Sequence, residues 1–467
     1  MSKLIKWISL PILGLALIVG LVFVLSPKAR KQAQLKALDK IGEAAMTQIA
    51  SNPEAAGTVA ADFINIPIMA RQIGPDIWQA TGVGNTHLIK TAEGHVLFDT
   101  GLPTQVAQHI NKLKPHMDGL DVSHIVLSHS HSDHAGGTKA WFEPGMEIVA
   151  HVEFKEEQRY LTELQPYQWG RNRTLFPWMP EEPPKLGLIA YGGIEPTITV
   201  HNGTPFKFTQ GGRDFELHAL PGAEGNDNLV LWLPKERMLF SGDFFGPIYP
   251  QFPNIFTMRG EKVRKPYEYI QSLKVIMEMD PLVIVPSHRD PITDKTLIDD
   301  GLKRMHDATQ YVHDAVVDGM NAGKSVEELM AEISLPAELD ISQEHGKVSW
   351  AVKSIWEYYM TWFHFDKTTE LYHVPIDTVY GDIVEAAGDL ALTEKAGEYM
   401  TDGQALKALH LVNIVLEKEP THGPALGVKE LALEHILKEA KATTNNSYEI
   451  YWLDYKLAEV RAALSSQ

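Results

Sequence analysis

His129, His131, Asp133 and His134 spell HSHSDH, three imidazoles and a carboxylate within six positions. Imidazole nitrogen and carboxylate oxygen are the donors that zinc and similar divalent ions accept. The cluster follows a run of strand character, Ser123 to Ser128, and Gly136 and Gly137 come just after it. Where a strand stops and turns, His129 and His131 point the same way, and Asp133 and His134 come round on the turn. The glycines suit the tight turn that follows. Chance enrichment in a solvated loop would not produce this spacing, so the cluster reads as half of a two-metal site.

The other half must come from other strand ends. Asp99 closes HVLFDTG, Asp243 closes MLFSGD and His288 closes LVIVPSH. Asp243 is a carboxylate able to bridge two ions, and His288 is a further imidazole ligand. Asp99 is either a ligand or a group that orients a ligand histidine from behind.

These ends require a scaffold of strands. Candidates are Thr86 to Lys90, His95 to Asp99, Ser123 to Ser128, Met146 to Ala150, Thr197 to Val200 and Phe206 to Thr209. Phe215 to Leu220, Leu229 to Leu233, Met238 to Phe240 and Leu282 to Val285 complete the set. Ala92-Glu93-Gly94 signals a hairpin between the first two, and Thr104 to Leu113 a helix. Strands interleaved with helices predict a layered α+β domain over residues 77–295. Gln165 to Gly193, with Trp169, Phe176, Trp178 and several prolines, is expected to be irregular, either packed on the sheet or serving as an apolar lid. From Asp294 onward apolar residues recur at three- and four-residue spacing, which predicts an all-helical domain over 296–467. His345 to Phe363 reads as a largely buried helix, and Val384 to Leu464 as successive helical hairpins.

The 467 residues favour two domains. A net charge of −18 argues against a nucleic-acid partner, since phosphate binding needs a basic surface. The chain has no cysteine, which removes disulfides, thiolate-bound zinc and thiol nucleophiles. At the N-terminus, Lys3 and Lys6 precede an uncharged run from Trp7 to Leu25, long enough to cross a bilayer. Ser26-Pro27-Lys28 offers no small-residue cleavage site, so residues 1–27 are expected to be an uncleaved transmembrane anchor. Residues 28–76 are then a lead-in, helical from Lys28 to Ala50.

Asp99-Thr100-Gly101, the HSHSDH run, Ser241-Gly242-Asp243 and Ser287-His288 resemble the metallo-β-lactamase-fold hydrolases. Within that superfamily, IWQATGVGNTHLIKTAEGHVLFDTG, PNIFTMRGEKVR and the helical region resemble the alkylsulfatase group. The resemblance implies an αβ/βα sandwich followed by a helical dimerisation domain. It also implies a homodimer, two zinc ions per chain and a small anionic ester as substrate. Exported relatives suggest the periplasmic face of a bacterial inner membrane. The turn after Leu220, PGAEGNDN, stands where superfamily members carry a ligand, so Glu224, Asp227 or Asn228 completes the first site, with Asp227 taken here. His218, just before that turn, is a structural strand residue.

The chemistry implied is metal-assisted hydrolysis of a sulfate ester, with two ions lowering the pKa of a water until hydroxide is available. Asp133 or Asp243 holds that water and accepts its proton. Asn254, Arg259 and Arg264 grip the anionic group, since a guanidinium fork matches an oxyanion. Pro253-Asn254 departs from the His-Asn pair usual in alkylsulfatases. That departure keeps a phosphodiester, lactone or thioester open as the substrate. An inert fold serving as a membrane-tethered scaffold is the remaining alternative.

Overall fold

Strands made of continuous apolar residues need cover on both faces. The sequence has several, THLI, HVLF, LVLWL and MLFSG, and in the computed structural model every residue of these four is buried. The structure describes residues 27–50, 67–176, 179, 181–183, 188, 190–222, 224–256, 258–259, 261–262 and 264–466. They fall into two units. One comprises the chain through Gln165, Pro183–Tyr249 and Glu268–Lys303; the other comprises Pro166–Glu182, Pro250–Tyr267 and Arg304–Gln467.

The first unit holds two sheets. Seven strands form one in sequence order: β1 (Ala70–Gly74), β2 (Ile77–Ala80), β3 (Thr86–Ile89), β4 (His95–Phe98), β5 (Val122–Val126), β6 (Glu147–His151) and β7 (Ile198–Val200). β1 to β4 run antiparallel to their neighbours, and β4 to β7 run parallel. The second sheet contains β8 (Phe206–Gln210), β9 (Arg213–Ala219), β10 (Leu229–Leu233), β11 (Met238–Gly242) and β12 (Val283–Pro286), in the order β12-β11-β10-β9-β8. Its one parallel pair is β11 with β12.

Val96, Phe98, Val126 and Val149 of the first sheet pack with Leu217, Leu231, Phe240 and Val285 of the second in one buried core. The opposite face of the seven-stranded sheet, with Leu88, Leu97 and Ile125, is covered by helical residues Val106, Leu113, Ala140 and Phe154. The two parallel regions place the C-terminal ends of β4, β5 and β11, and of β12, at turns that carry polar side chains.

In the second unit, the helix Val348–Met360 buries Ala351, Val352 and Ile355 along one stripe. Five helices close the chain: Tyr380–Ala387, Asp389–Thr401, Ala405–Lys418, Gly423–Ala442 and Ser447–Ser465. Ala396, Ala408, Val412 and Ala425 form one cluster among them, and Leu426, Leu433, Leu453 and Leu457 another. These are the helical hairpins expected from the spacing.

Three expectations need correction. The fold class is α+β without the predicted transmembrane helix: among the described residues no helix is long and apolar enough to cross a membrane. The run Trp7 to Leu25 itself lies outside the described residues. The inner-membrane, periplasmic placement rested on that anchor and falls with it. The next segment, Pro27–Ala50, is a helix whose Leu35 packs on the first unit and whose Lys31 Nζ donates to the Phe142 carbonyl at 2.6 Å. Secondly, QPYQWGRNRTL forms the helix Gln165–Leu175. Pro166 sits in its first turn, where a missing N–H costs nothing; Trp178 lies outside the described residues. Thirdly, β1 arises within the expected lead-in and extends the sheet through its pairing with β2.

Candidate metal centre

Strand β5 delivers the histidine run. After Val126 the chain keeps one more ladder bond, Leu127 N–H to the Val149 carbonyl, and then leaves the sheet. His131 caps the short helix Ser132–Ala135, which carries Asp133 and His134. Thr100, just after β4, fixes this turn: its N–H and its hydroxyl each donate to the His134 carbonyl at 2.7 Å. Gly84 lets the preceding hairpin approach. A Cβ there would stand 2.0 Å from the Asp133 carbonyl oxygen. Gly242, at φ 58°, likewise faces Ser128 so closely that a Cβ would meet its Cβ at 2.4 Å.

The side chains converge as the strand ends predict. His129, His134 and Asp243 bring one ligand atom each within 4.8 Å of the others, and so do Asp133, His134 and His288. His134 Nε2 lies 3.3 Å from both Asp133 Oδ2 and Asp243 Oδ2, and His288 Nε2 lies 3.0 Å from Asp243 Oδ2. The His129 and His131 rings meet edge to face, with His129 Nε2 at 2.8 Å from His131 Nδ1.

The ring orientations are set from behind. Asp99, fully buried and at φ 55°, is a hub. It accepts from the Ser128 N–H at 2.8 Å, the Ser128 hydroxyl at 2.9 Å and His134 Nδ1 at 3.0 Å, and also from the Ser287 hydroxyl. With Nδ1–H spent on Asp99, His134 presents Nε2 to the centre. His288 directs its Nδ1 to the Val83 carbonyl and presents Nε2 in the same way. Asp99 therefore fixes the orientation of the His134 ring from behind.

Electrostatics follow from the crowding. Burial lowers the His129 pKa to about 3, assisted by the neighbouring His134 and His131, and keeps its ring neutral. Burial also disfavours charge on His134, but the Asp133 and Asp243 carboxylates outweigh it and hold that pKa well above the ordinary value. His288 is raised in the same sense, chiefly by Asp243 against burial. Both carboxylates sit below the usual range, the imidazole charges overcoming burial. The protein thus gathers positive charge between these carboxylates. His134 Nε2 and Asp243 Oδ1 are buried without a hydrogen-bond partner. An N- and O-donor set with unsatisfied buried atoms fits a divalent cation.

The turn 224–228 carries three buried polar side chains, Glu224, Asp227 and Asn228. Glu224 Oε2 comes to 3.9 Å of His131 Nδ1. Asp227 is buried, with Oδ2 lacking a hydrogen-bond partner, and burial together with the charge of Glu157 raises it to about 7. His218 stays on β9, 3.4 Å from Glu216 Oε2, as a strand residue.

The proposed anion grip belongs to the second unit and is described within it. Arg264 Nη1 donates to the Asn254 carbonyl at 2.6 Å, and its Nη2 lies 2.9 Å from Glu261 Oε2. Arg259 Nε lies 3.1 Å from Glu261 Oε1. Two residues not expected at the site join this group. Glu261 links the two arginines, and His345 Nε2 stands 3.3 Å from Asn254 Nδ2. His345 is visible in the sequence only as the first residue of an expected helix that in fact begins at Val348. Tyr191, whose hydroxyl donates to the Ser130 carbonyl at 2.8 Å, carries no local signal at all.

Residues 80–288, which include every side chain of this centre, match the family described as metallo-beta-lactamase superfamily. The chain carries a metallo-β-lactamase domain. Residues 325–455 match a second family, alkyl sulfatase dimerisation. Among relatives of the chain is a linear primary-alkylsulfatase from Pseudomonas sp., 27% identical over 60% of this chain and 56% of the relative. Another is an alkyl/aryl-sulfatase from Saccharomyces cerevisiae, 23% identical over 81% of this chain and 62% of the relative. The chain thus spans less than two thirds of these relatives' length. A stereoselective inverting sec-alkylsulfatase from Pseudomonas sp. shares the fold, with a TM-score of 0.73 at 19% identity over 89% of this chain and 70% of the other.

Proposed function

We propose that this chain is a metal-dependent hydrolase of alkyl or aryl sulfate esters that uses two zinc ions. The observation that carries the reading is the pair of ligand groups sharing His134, one with His129 and Asp243 and one with Asp133 and His288. Relatives named as alkylsulfatases supply the substrate class. His129, His131 and a carboxylate of the turn 224–228 would hold one ion and Asp133, His134 and His288 the other, with Asp243 available as a further carboxylate ligand. Glu224 is a strong alternative to Asp227 in that turn, given its approach to His131. When bound, the ions supply Lewis acidity and lower the pKa of a nearby water.

The chain's own residues do the rest. Asp99 and the Val83 carbonyl fix the ring orientations of His134 and His288, so the donor nitrogens need no reorganisation. Asp243 Oδ1, or the carboxylate of Asp133, accepts the proton of the attacking water. The sulfate-binding role expected of Asn254, Arg259 and Arg264 rests on the match of a guanidinium fork to an oxyanion; within the second unit both guanidinium groups are paired with Glu261. The homodimer is proposed on the match to the dimerisation family.

The test is sulfate release, by ion chromatography, from a medium-chain alkyl sulfate, with zinc-loaded protein and His131→Ala as control. Release by the parent chain that is abolished in the variant is expected. A chain that holds two metal ions and releases no sulfate overturns the sulfatase reading and favours a phosphodiester or lactone.

A further inference from the structure

The helix Lys295–Asn321 buries Met305, Ala308, Val312 and Val316 at three- and four-residue spacing, and His313 stands at the edge of that stripe. The helix Val348–Met360 brings Tyr359 beside it in its last turn. Three side chains meet there in series. Gln310 Nε2 donates to Asp314 Oδ1 at 2.8 Å and steadies the carboxylate. The same oxygen lies 2.9 Å from His313 Nδ1, and His313 Nε2 lies 2.7 Å from the Tyr359 hydroxyl oxygen.

The order of protons follows from the acidic end of the series. A carboxylate only accepts, so Nδ1 carries the ring proton and donates it to Asp314. Nε2 is then a lone pair, and the Tyr359 hydroxyl donates to it. The result is a nucleophile, a base within hydrogen-bond reach and a third group that holds the base, the arrangement that activates a hydroxyl. Burial divides as that task requires: His313 is 9% exposed, whereas Tyr359 is 42% exposed and open to a reagent. A hydrogen bond serving only to tie the two helices gains little where water competes for the hydroxyl. Ala351, Val352 and Ile355 already pack that helix. The Tyr358 ring meets Tyr359 edge to face at 5.1 Å, and the half-exposed Tyr267 ring lies 6.0 Å from the His313 ring. These rings favour an aryl group beside the hydroxyl.

We propose that Asp314, His313 and Tyr359 form a nucleophilic site of their own, at which Tyr359 takes an acyl group from an activated aryl ester. Tyr359 Oη bonds to the ester carbonyl carbon while its proton passes to His313 Nε2. The bond from that carbon to the aryl oxygen then breaks, and the departing aryloxide takes the proton from Nε2. An O-acyl tyrosine and a free phenol are the products. All of these residues belong to the second unit, and no step passes through the His134 centre.

The test is p-nitrophenyl acetate on the full chain, with acetylated peptides located and timed by mass spectrometry. Ester hydrolysed at the metal centre leaves no adduct and does not enter this readout. Tyr359 should be acetylated at least about tenfold faster than Tyr372, although Tyr372 is 67% exposed. His313→Gln keeps a hydrogen-bonding side chain but cannot take the proton. It should slow Tyr359 about a hundredfold, the lower end of general-base assistance, and leave Tyr372 unchanged. Asp314→Ala frees the ring and should slow Tyr359 in the same sense. Acetylation of Tyr372 as fast as Tyr359 in the parent chain, a comparison that needs no variant to fold, overturns the site. So does a His313→Gln chain that labels Tyr359 within about threefold of the parent. An acetyl group found on His313 instead makes the imidazole the nucleophile and overturns the role of Tyr359.

Discussion

Asp99 shows how a residue outside the candidate ligand set positions it. Its carboxylate gathers hydrogen bonds from Ser128, His134 and Ser287, which follow β5, sit on the short helix and follow β12. Asp99→Asn substitutes an amide donor for one acceptor oxygen and frees the His134 ring. Zinc affinity should fall between ten- and a hundredfold, read by competition with a chelating dye; a change under threefold would show that the ring is held by other means. His109 reports a different property. It is fully buried against Thr86 Oγ1 at 2.9 Å, and burial lowers its pKa from 6.5 to about 4. The unfolded chain therefore takes up this proton first. Stability contributed by the neutral ring is complete above pH 6.5 and is lost as pH falls toward 4. His109→Gln should flatten melting temperature against pH in that window, by the equivalent of about 3 kcal/mol. Parallel curves for the two proteins would exclude His109 as the titrating group.

At the level of elements, the centre exists because backbones approach where side chains would collide. Gly84→Ala places a Cβ 2.0 Å from a backbone oxygen of the Asp133 turn, which must shift. The expected cost is about 1–3 kcal/mol, as for other overpacked sites, together with loss of bound zinc. Gly170→Ala, in the helix Gln165–Leu175 with open space around it, should be neutral or slightly stabilising. Calorimetry and metal analysis of both variants decide the matter: equal effects would mean that the close approach is not what holds the turn. Legibility in the sequence divides along the same line. β10 and β11 are visible because buried strands are continuously apolar, and HSHSDH because its spacing is local. β1, ARQIG, escapes notice since a partly exposed strand leaves no apolar run, and Pro166 and Gly170 conceal a helix. The hub of Asp99 and the approach of Glu224 to His131 join residues that meet only through folding. No spacing rule exposes them.

Over the whole molecule, each of the two units has apolar cores of its own, two sheets in one and helical clusters in the other. Only the first contains the centre built on His134. Chelation of zinc should therefore lower one calorimetric transition and leave a second in place. A ligand present at a thousand times its dissociation constant stabilises by about 4 kcal/mol, on the order of 10 °C for a domain of this size. A helical transition that moves as far as the other would tie the units into one cooperative block.

The donor set of the centre has a further consequence. All its ligands offer nitrogen or oxygen, and the chain holds no thiol anywhere. Mercury, arsenite and other sulfur-seeking poisons have no handle on such a site, because soft ions draw their advantage from thiolate. Peroxide has no low-pKa cysteine to attack; the fifteen methionines are the sulfur it meets instead. On the proposed reading the chemistry of this centre would be insulated from the redox state of its surroundings, and agents that stop it would compete for the metal or imitate an oxyanion.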